Sequence, residues 1–432
     1  MSLDEIKQKL IDTIEGHKDE IFRIGDEILQ NPELGYREEK TSALVRAELE
    51  KLGIGYDYPC ALTGVKGKLP GRENGANVCI IGELDALKCA GSPIANEKDV
   101  AHACGHNAQI AAMLGTAIAF VKSGVMQDLD GTVTFLAAPA EEFIDMEYRK
   151  SLKVKGKIQY YGGKQQLIAE GVFDDVDMAM MVHAQSDEKD AKLFVQGQNL
   201  GFLAKTISFH GKAVHGSTPF DGVNALNAAA LAILGVHANR ETFREEDKIR
   251  IHPIITKGGE VVNSVPAEVC MDTYVRGASF EAIQKGNRAV ERAAKGAAEM
   301  VGASVTFEDI PGYLPLKESA ELSAFFEKNA AQLVGQKNLI YGEEITGSSD
   351  IGDLSCILPV IQPSVGGFTG TLHDKAFHVA DAGTAYVLPA KILAMTAAEL
   401  LYNHAQAAKR VRANFQPQMT IKEYRNYLEG KV

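Results

Sequence analysis

The chain runs to 432 residues, 45% hydrophobic and 24% charged, with a formal net charge of −12. A single core rarely grows that large, so two domains are expected, and the composition is that of an ordinary globular protein. The acidic excess argues against a nucleic-acid partner and against binding to acidic membranes.

The opening Met1 to Glu5 is acidic and lacks the basic and apolar blocks of a secretory leader. The longest apolar run, Ile110 to Val121, is too short to span a bilayer. Cys60, Cys79, Cys89, Cys104, Cys270 and Cys356 lie scattered without paired spacing, as expected in a reducing cytoplasm. The expected location is therefore cytoplasmic, with no membrane and no nucleic-acid partner.

In chain order, residues 3–30 and 37–52 carry apolar side chains at helical spacing, such as Ile6, Leu10, Ile14 and then Ile21, Ile24, Ile28. Asn77 to Gly82 is a short apolar run of the kind found in strands buried on both faces. A helix over 108–121 follows, then a strand over 131–137, a helix near 163–170 and a strand over 177–182. This alternation predicts an α/β domain with a largely parallel sheet. The lysine-rich stretch 143–161 shows no clear period and reads as an inserted loop. From about residue 199 the rhythm changes: strand 202–209, helix 222–238, strands 249–257 and 268–276, helix 279–300, strand 303–309. That is the ferredoxin-like β-α-β-β-α-β order. After 313 the first rhythm returns with helix 318–334, a strand near 357–362 and helix 382–403. The expected architecture is a discontinuous α/β domain (1–198 and 313–432) interrupted by an α+β ferredoxin-like domain (199–312).

Cys104 and His106 flank Gly105 just before the helix at 108–121. Helical positions two apart point about 200° from each other, so the pair can share an ion only where the chain turns into that helix. Thiolate and imidazole are both good zinc-type ligands, and a helix N-terminus favours the thiolate. Alone the pair is weak evidence, because free cysteine also packs as a small hydrophobe. Other donors strengthen it. Glu83 and Asp85 follow the strand at 77–82, Glu141 and Glu142 follow the strand at 131–137, and His183 ends the strand at 177–182. Open α/β sheets bind ligands outside the carboxyl ends of their strands, so these groups point to one metal site.

The same residues carry a resemblance. Gly82-Glu-Leu-Asp-Ala-Leu87, His102-Ala-Cys-Gly-His-Asn107, Pro139-Ala-Glu-Glu142, His183 and Thr371-Leu-His-Asp-Lys-Ala-Phe377 occur in that order. Together they resemble the motifs of the two-metal aminoacylase/carboxypeptidase-like metallopeptidase family. The branch is that of hippurate, indole-acetyl-amino-acid and aminobenzoyl-glutamate amidohydrolases. Ser348 to Asp353 is closest to its aminobenzoyl-glutamate and dipeptide-cleaving members.

The resemblance implies a zinc-peptidase-like catalytic domain with an inserted lid and dimerisation domain. It implies two divalent metal ions per subunit, zinc or manganese with cobalt admissible. Their ligands would be Cys104 as the bridge with His106, Glu142, His183 and His373. Glu141 would be the general base and Asp85 would orient a ligand. In the inserted domain His215 would polarise the scissile carbonyl, reaching the site of a neighbouring subunit in a homodimer. Asn263 and Arg276 would bind a small-molecule substrate, Arg276 through its carboxylate.

Several positions depart from the branch. Asn107 and Glu83 both stand where Asp is common, and Glu83 is assigned no metal role. The insertion at 143–161 is unusual and bears on specificity. His102, His378 and Asp350 read as structural or orienting residues. The expected activity is metal-dependent hydrolysis of the amide bond in small N-acyl or N-aminoacyl amino acids. The alternatives are a metal-dependent dipeptidase or aminopeptidase and an inactive relative that binds amino-acid conjugates.

Overall fold

The computed structural model describes residues 1–342, 344, 345 and 347–430, and divides into two compact units. The first comprises Met1–Gln198, Lys317–Glu344 and Asp353–Lys422; the second comprises Asn199–Leu316, Ile345–Gly352 and Glu423–Val432.

The first unit is built on a six-stranded sheet in the order Gly55–Cys60, Gly64–Pro70, Asp130–Ala138, Arg72–Glu83, Met178–Met180, Val360–Ile361. From Asp130–Ala138 onward neighbouring strands run parallel, and the first two form an antiparallel edge. Val78 stands opposite Val133 on one side and Met178 on the other, all three without exposure. The unbroken apolar run of this strand thus fills both faces of a central position. Truncating a side chain such as Ile80 to Ala there costs about 2–5 kcal/mol.

The helix His106–Ser123 is buried nearly all round, which is why its sequence shows little amphipathic contrast. The N-terminal helical pattern is two helices, Leu3–Gly16 and Lys18–Leu29, rather than one; Ser2 and Glu5 form a capping box at the first. The helix Leu388–Asn414 is broken by non-helical residues Tyr402–Ala405. Among the described residues, one helical stretch, Gly383–Asn414, is long and apolar enough to cross a membrane, but 89% of its apolar window is buried inside the fold.

One expectation needs correcting here. The stretch 143–161 is not a plain loop, because Met146–Val154 is a helix. Its lysines obscure the period, and the residues that anchor it, Arg149 and Leu152, are only two. The edge strands Gly55–Cys60 and Gly64–Pro70 are not evident from sequence, since glycines and lysines dilute their pattern.

The second unit is an antiparallel sheet in the order Ser304–Pro311, Gly201–His210, Glu268–Gly277, Arg250–Ile251, with Ile254–Lys257 also paired to Glu268–Gly277. The strand expected at 249–257 is therefore split, and His252 and Pro253 lie at the break, where proline cannot donate to the ladder. Helices Ala225–Ala238 and Phe280–Met300 cover the sheet through Ala228, Ala232, Val290 and Ala294, which meet Ile207, Phe209, Val269 and Met271. This is the ferredoxin-like arrangement. Phe220, Leu234, Ile254, Val261 and Val262 remain exposed on this unit.

Candidate metal centre

Three adjacent parallel strands deliver the donors. Glu83 ends its strand opposite Ala138, the last residue of the neighbouring strand, and the turn Pro139–Glu142 follows directly. His183 comes just after Met178–Met180. Gly105 takes a left-handed φ of 77°, and a Cβ there would stand 2.6 Å from that of Ala184. Only glycine therefore lets the Cys104 turn pass so close beside His183. His106 is the first residue of its helix.

The donors fall into three groups, in each of which the donor atoms lie within 4.8 Å of one another: Cys104 with His106 and His183, Cys104 with Glu142 and His373, and Glu83 with His106 and Glu141. Cys104 Sγ is 3.5 Å from His183 Nε2 and 3.3 Å from His373 Nε2, while Glu142 Oε1 is 3.2 Å from His373 Nε2. The structure thus brings together Cys104, His106, Glu141, Glu142, His183 and His373. The adjacent glutamates separate as neighbouring side chains do, Glu141 toward His106 and Glu142 toward His373.

Backbone contacts fix the ring orientations. His106 Nδ1 donates to the Asp85 carbonyl at 2.8 Å, and His183 Nδ1 donates to the Ala184 carbonyl at 2.9 Å. Each Nε2 is thereby turned into the centre, where a metal ion would take the place of its proton. Asp85 also holds the turn, its carboxylate accepting the N–H of Glu141 at 3.2 Å and of Glu142 at 3.0 Å. His106 Nε2 and Glu142 Oε1 are buried without a hydrogen-bond partner among the described residues. Thiolate, imidazole and carboxylate donors with orphaned buried atoms aimed inward fit one or more divalent cations of the zinc type.

The electrostatics agree. Burial alone would raise the Cys104 thiol, yet the His183 and His106 rings hold it well below its ordinary range. Burial likewise opposes charge on His106, but Glu83 and Cys104 keep it well above the usual imidazole value. Burial and the neighbouring Cys104 push Glu142 up to about 7 against the pull of His373. The neighbouring Cys104 sulfur and Glu142 carboxylate raise His373 to about 11. The cluster thus retains protons that bound cations would displace.

Sequence reasoning missed three residues around this centre and left a fourth, Glu83, without a role. Glu83, given no role by the motif comparison, is fully buried with Lys164 Nζ 2.5 Å from Oε1 and Gln109 Nε2 2.8 Å from Oε2. Glu38 accepts the N–H of Ala140 at 2.8 Å and the Thr63 hydroxyl at 2.6 Å. Arg149, from the insertion helix, donates to the carbonyls of Ala140, Glu142 and Tyr161. Gly163 backs the same turn, since a Cβ there would fall on the Pro139 carbonyl oxygen. The available signal was the glycine pair before Lys164, which marks a close approach.

Other expected residues sit elsewhere. Asn107 donates to the Gly25 carbonyl at 3.3 Å and the Tyr386 hydroxyl at 2.9 Å, joining helices rather than orienting a donor. His102 is buried, and burial lowers its pKa to about 3, so it is neutral. His378 is exposed with Nδ1 on the Ala376 carbonyl, and Asp350 is buried in the second unit. His215, Asn263 and Arg276 also belong to the second unit. His215 bridges Ser264 and places Nδ1 2.7 Å from Ser217 Oγ; Asn263 accepts the Gly216 N–H at 2.7 Å. Arg276 donates to Ser348 Oγ at 2.9 Å and lies over the rings of Phe202 and Tyr274. Among the described residues its polar partner is the Ser348 hydroxyl rather than a carboxylate, and burial lowers its pKa.

A thiol-containing donor cluster at the carboxyl edge of an α/β sheet, in a chain that also carries a ferredoxin-like unit, fits a metal-dependent enzyme, and the known proteins that the chain resembles are hydrolases. Residues 198–300 match the M20 peptidase dimerisation domain. The chain is 27% identical over 350 residues to IAA-amino acid hydrolase ILR1-like 4 of Arabidopsis thaliana, covering 77% of this chain and 73% of that protein. It is 29% identical over 350 residues to the Xaa-Arg dipeptidase of Homo sapiens, covering 76% of this chain and 73% of the relative. Among solved structures, the Bacillus subtilis YxeP protein, a dinuclear metal-binding peptidase of the M20 family, shares the fold with a TM-score of 0.73 at 24% identity. That likeness covers 90% of this chain and 99% of that one. With a peptidase dimerisation domain at 198–300 and these hydrolase relatives, the chain is a metal-dependent amidohydrolase or peptidase.

Proposed function

We propose that the protein hydrolyses the amide bond of small N-acyl or N-aminoacyl amino acids, aminobenzoyl-glutamate-like conjugates included. The observation that carries this reading is the position of Cys104, shared by two donor groups that each hold two further ligand atoms. Two divalent ions would be held there, one by Cys104, His106 and His183, the other by Cys104, Glu142 and His373. Zinc suits the thiolate, and manganese or cobalt suits the imidazoles and carboxylate. When bound, such ions polarise the amide carbonyl and lower the pKa of water.

The chain's own residues do the rest. Glu141, held by Asp85 through its backbone N–H, takes the proton of the attacking water and delivers it to the leaving amine. Asp85 fixes the His106 tautomer through its carbonyl. His215 polarises the scissile carbonyl from a partner subunit, and Asn263 and Arg276 hold the substrate, Arg276 by its carboxylate. Among the described residues Arg276 meets the Ser348 hydroxyl rather than a carboxylate, which supports that role, since its guanidinium stays available for a fork of two hydrogen bonds.

The second unit would form a homodimer. Its match to a dimerisation domain and its exposed Phe220, Leu234, Ile254 and Val262 support this. Six free cysteines support a reducing cytoplasm. The dipeptidase reading remains the rival, since a similar relative bears that name. A panel of N-acetyl amino acids, aminobenzoyl-glutamate and dipeptides separates the two. Cleavage of the acyl conjugates at higher kcat/KM is expected; a preference for dipeptides with free amino termini would overturn the amidohydrolase assignment.

A further inference from the structure

Glu83 and Lys164 form an ion pair with no exposure at either side chain, set beside the donor cluster. Such a pair adds little stability by itself, because desolvation of both charges offsets their attraction. Its geometry suggests a use. Lys164 occupies Oε1, and Gln109 takes one lone pair of Oε2. The same Oε2 stands 3.2 Å from His106 Nε2, yet no hydrogen bond joins them. His106 has already given its Nδ1 hydrogen to the Asp85 carbonyl, so in the neutral ring the facing Nε2 is a lone pair. Two lone-pair atoms held this close in a dry site repel, and either a proton on Nε2 or a metal ion in its place relieves that repulsion. Ligand bonds of about 2.0–2.2 Å at tetrahedral to right angles separate neighbouring ligand atoms by roughly 3–3.5 Å. The pair therefore sits side by side, as two ligands of one ion do.

We propose that Glu83 is a further protein ligand of the ion held by His106, and that Lys164 is the positioning residue that presents it. This rests on reading Cys104, His106 and His183 as ligands of that ion. Lys164 offsets the charge that Glu83 adds, so the centre gains a ligand without gaining net negative charge. Gln109 sets the rotation of the carboxylate from the helix that His106 begins.

The test uses the full chain stripped of metal and titrated with Zn(II) against a chromophoric chelator, with Co(II) absorption as a second readout. Three variants are compared with the parent: Glu83→Gln, the double Glu83→Leu/Lys164→Met, and His106→Ala. One of two ions is expected to bind roughly 10- to 100-fold more weakly in the first two variants, the scale of losses around metal ligands, and the cobalt bands should shift. Removing both charges together avoids an unpaired buried lysine, so the double variant carries the test should Glu83→Gln fail to fold. Parental affinity for both ions in the double variant, with His106→Ala losing one, overturns the Glu83 assignment alone. Parental affinity in His106→Ala as well overturns the reading of the whole centre.

Discussion

Cys104 belongs to two donor groups that are built very differently. With His106 it shares a sealed interior: His106 has no exposed surface, its ring is tied to Asp85, and Glu83, Lys164 and Gln109 close the space behind it. With His373 it shares an open edge. The His373 side chain is 53% exposed and is carried on a loop where the residue itself takes a left-handed φ of 66°. That loop is held to the Cys104 turn by the His373 N–H on the Ala103 carbonyl at 2.8 Å. Beside it lies a cleft of about 790 Å³ bordered by Glu142, His373, Leu34, Leu87 and Ile144. A sealed ligand set is pre-organised and slow to exchange its ion, while an open one admits substrate and exchanges readily. On the proposed reading, the inner side would hold its ion longer and the outer side would meet the substrate.

The largest effect is expected where the two sides meet. Cys104→Ala should empty both ion positions and abolish turnover, measured by elemental analysis after gel filtration; full metal content would break the shared-ligand picture. Glu141→Gln belongs to neither ligand set. It keeps shape but cannot accept a proton, so turnover should fall by roughly two to four orders of magnitude with metal retained. Metal loss in that variant would mean that Glu141 and Glu142 have exchanged roles. His373→Ala should sharpen the contrast: about one ion lost on brief chelation, the inner ion kept, and a lowered kcat. Equal retention of both ions would contradict an open outer position. The smallest effect is expected far from both groups in sequence. Arg276→Lys should lower kcat/KM for a carboxylate-bearing substrate by about 1–3 kcal/mol and spare the matching amide, because a point charge cannot reproduce the guanidinium fork. Equal losses on acid and amide would make Arg276 structural.

The contrast also separates what the sequence displays from what it hides. Cys104, Gly105 and His106 are readable because their chemistry is local: two donors, one glycine and the helix they open. The strand ends at Glu83, Glu142 and His183 are readable because buried strands announce themselves as apolar runs. The inner supports are not readable. Lys164 lies on a short helix where a lysine normally faces solvent, and nothing local shows that 81 positions separate it from its carboxylate. Arg149 sits among lysines in a stretch without period, so its burial beneath the glutamate turn leaves no trace in the pattern. The ferredoxin-like unit is legible almost strand by strand, since alternation and helical caps such as Asn224 and Ser279 mark its elements locally.

Ala140, between the proline and the first glutamate of the turn, holds a φ of 54°, a conformation that costs a residue with a Cβ on the order of 1 kcal/mol. Its N–H is gripped by Glu38 and its carbonyl by Arg149 and Gly163, so it cannot relax. The turn is therefore held in tension by its surroundings. Ala140→Gly relieves that strain but gives the unfolded chain more freedom, which offsets much of the gain, and it loosens the turn that aims two adjacent carboxylates in different directions. Variants of this enzyme slackened at that turn should be the ones that lose speed.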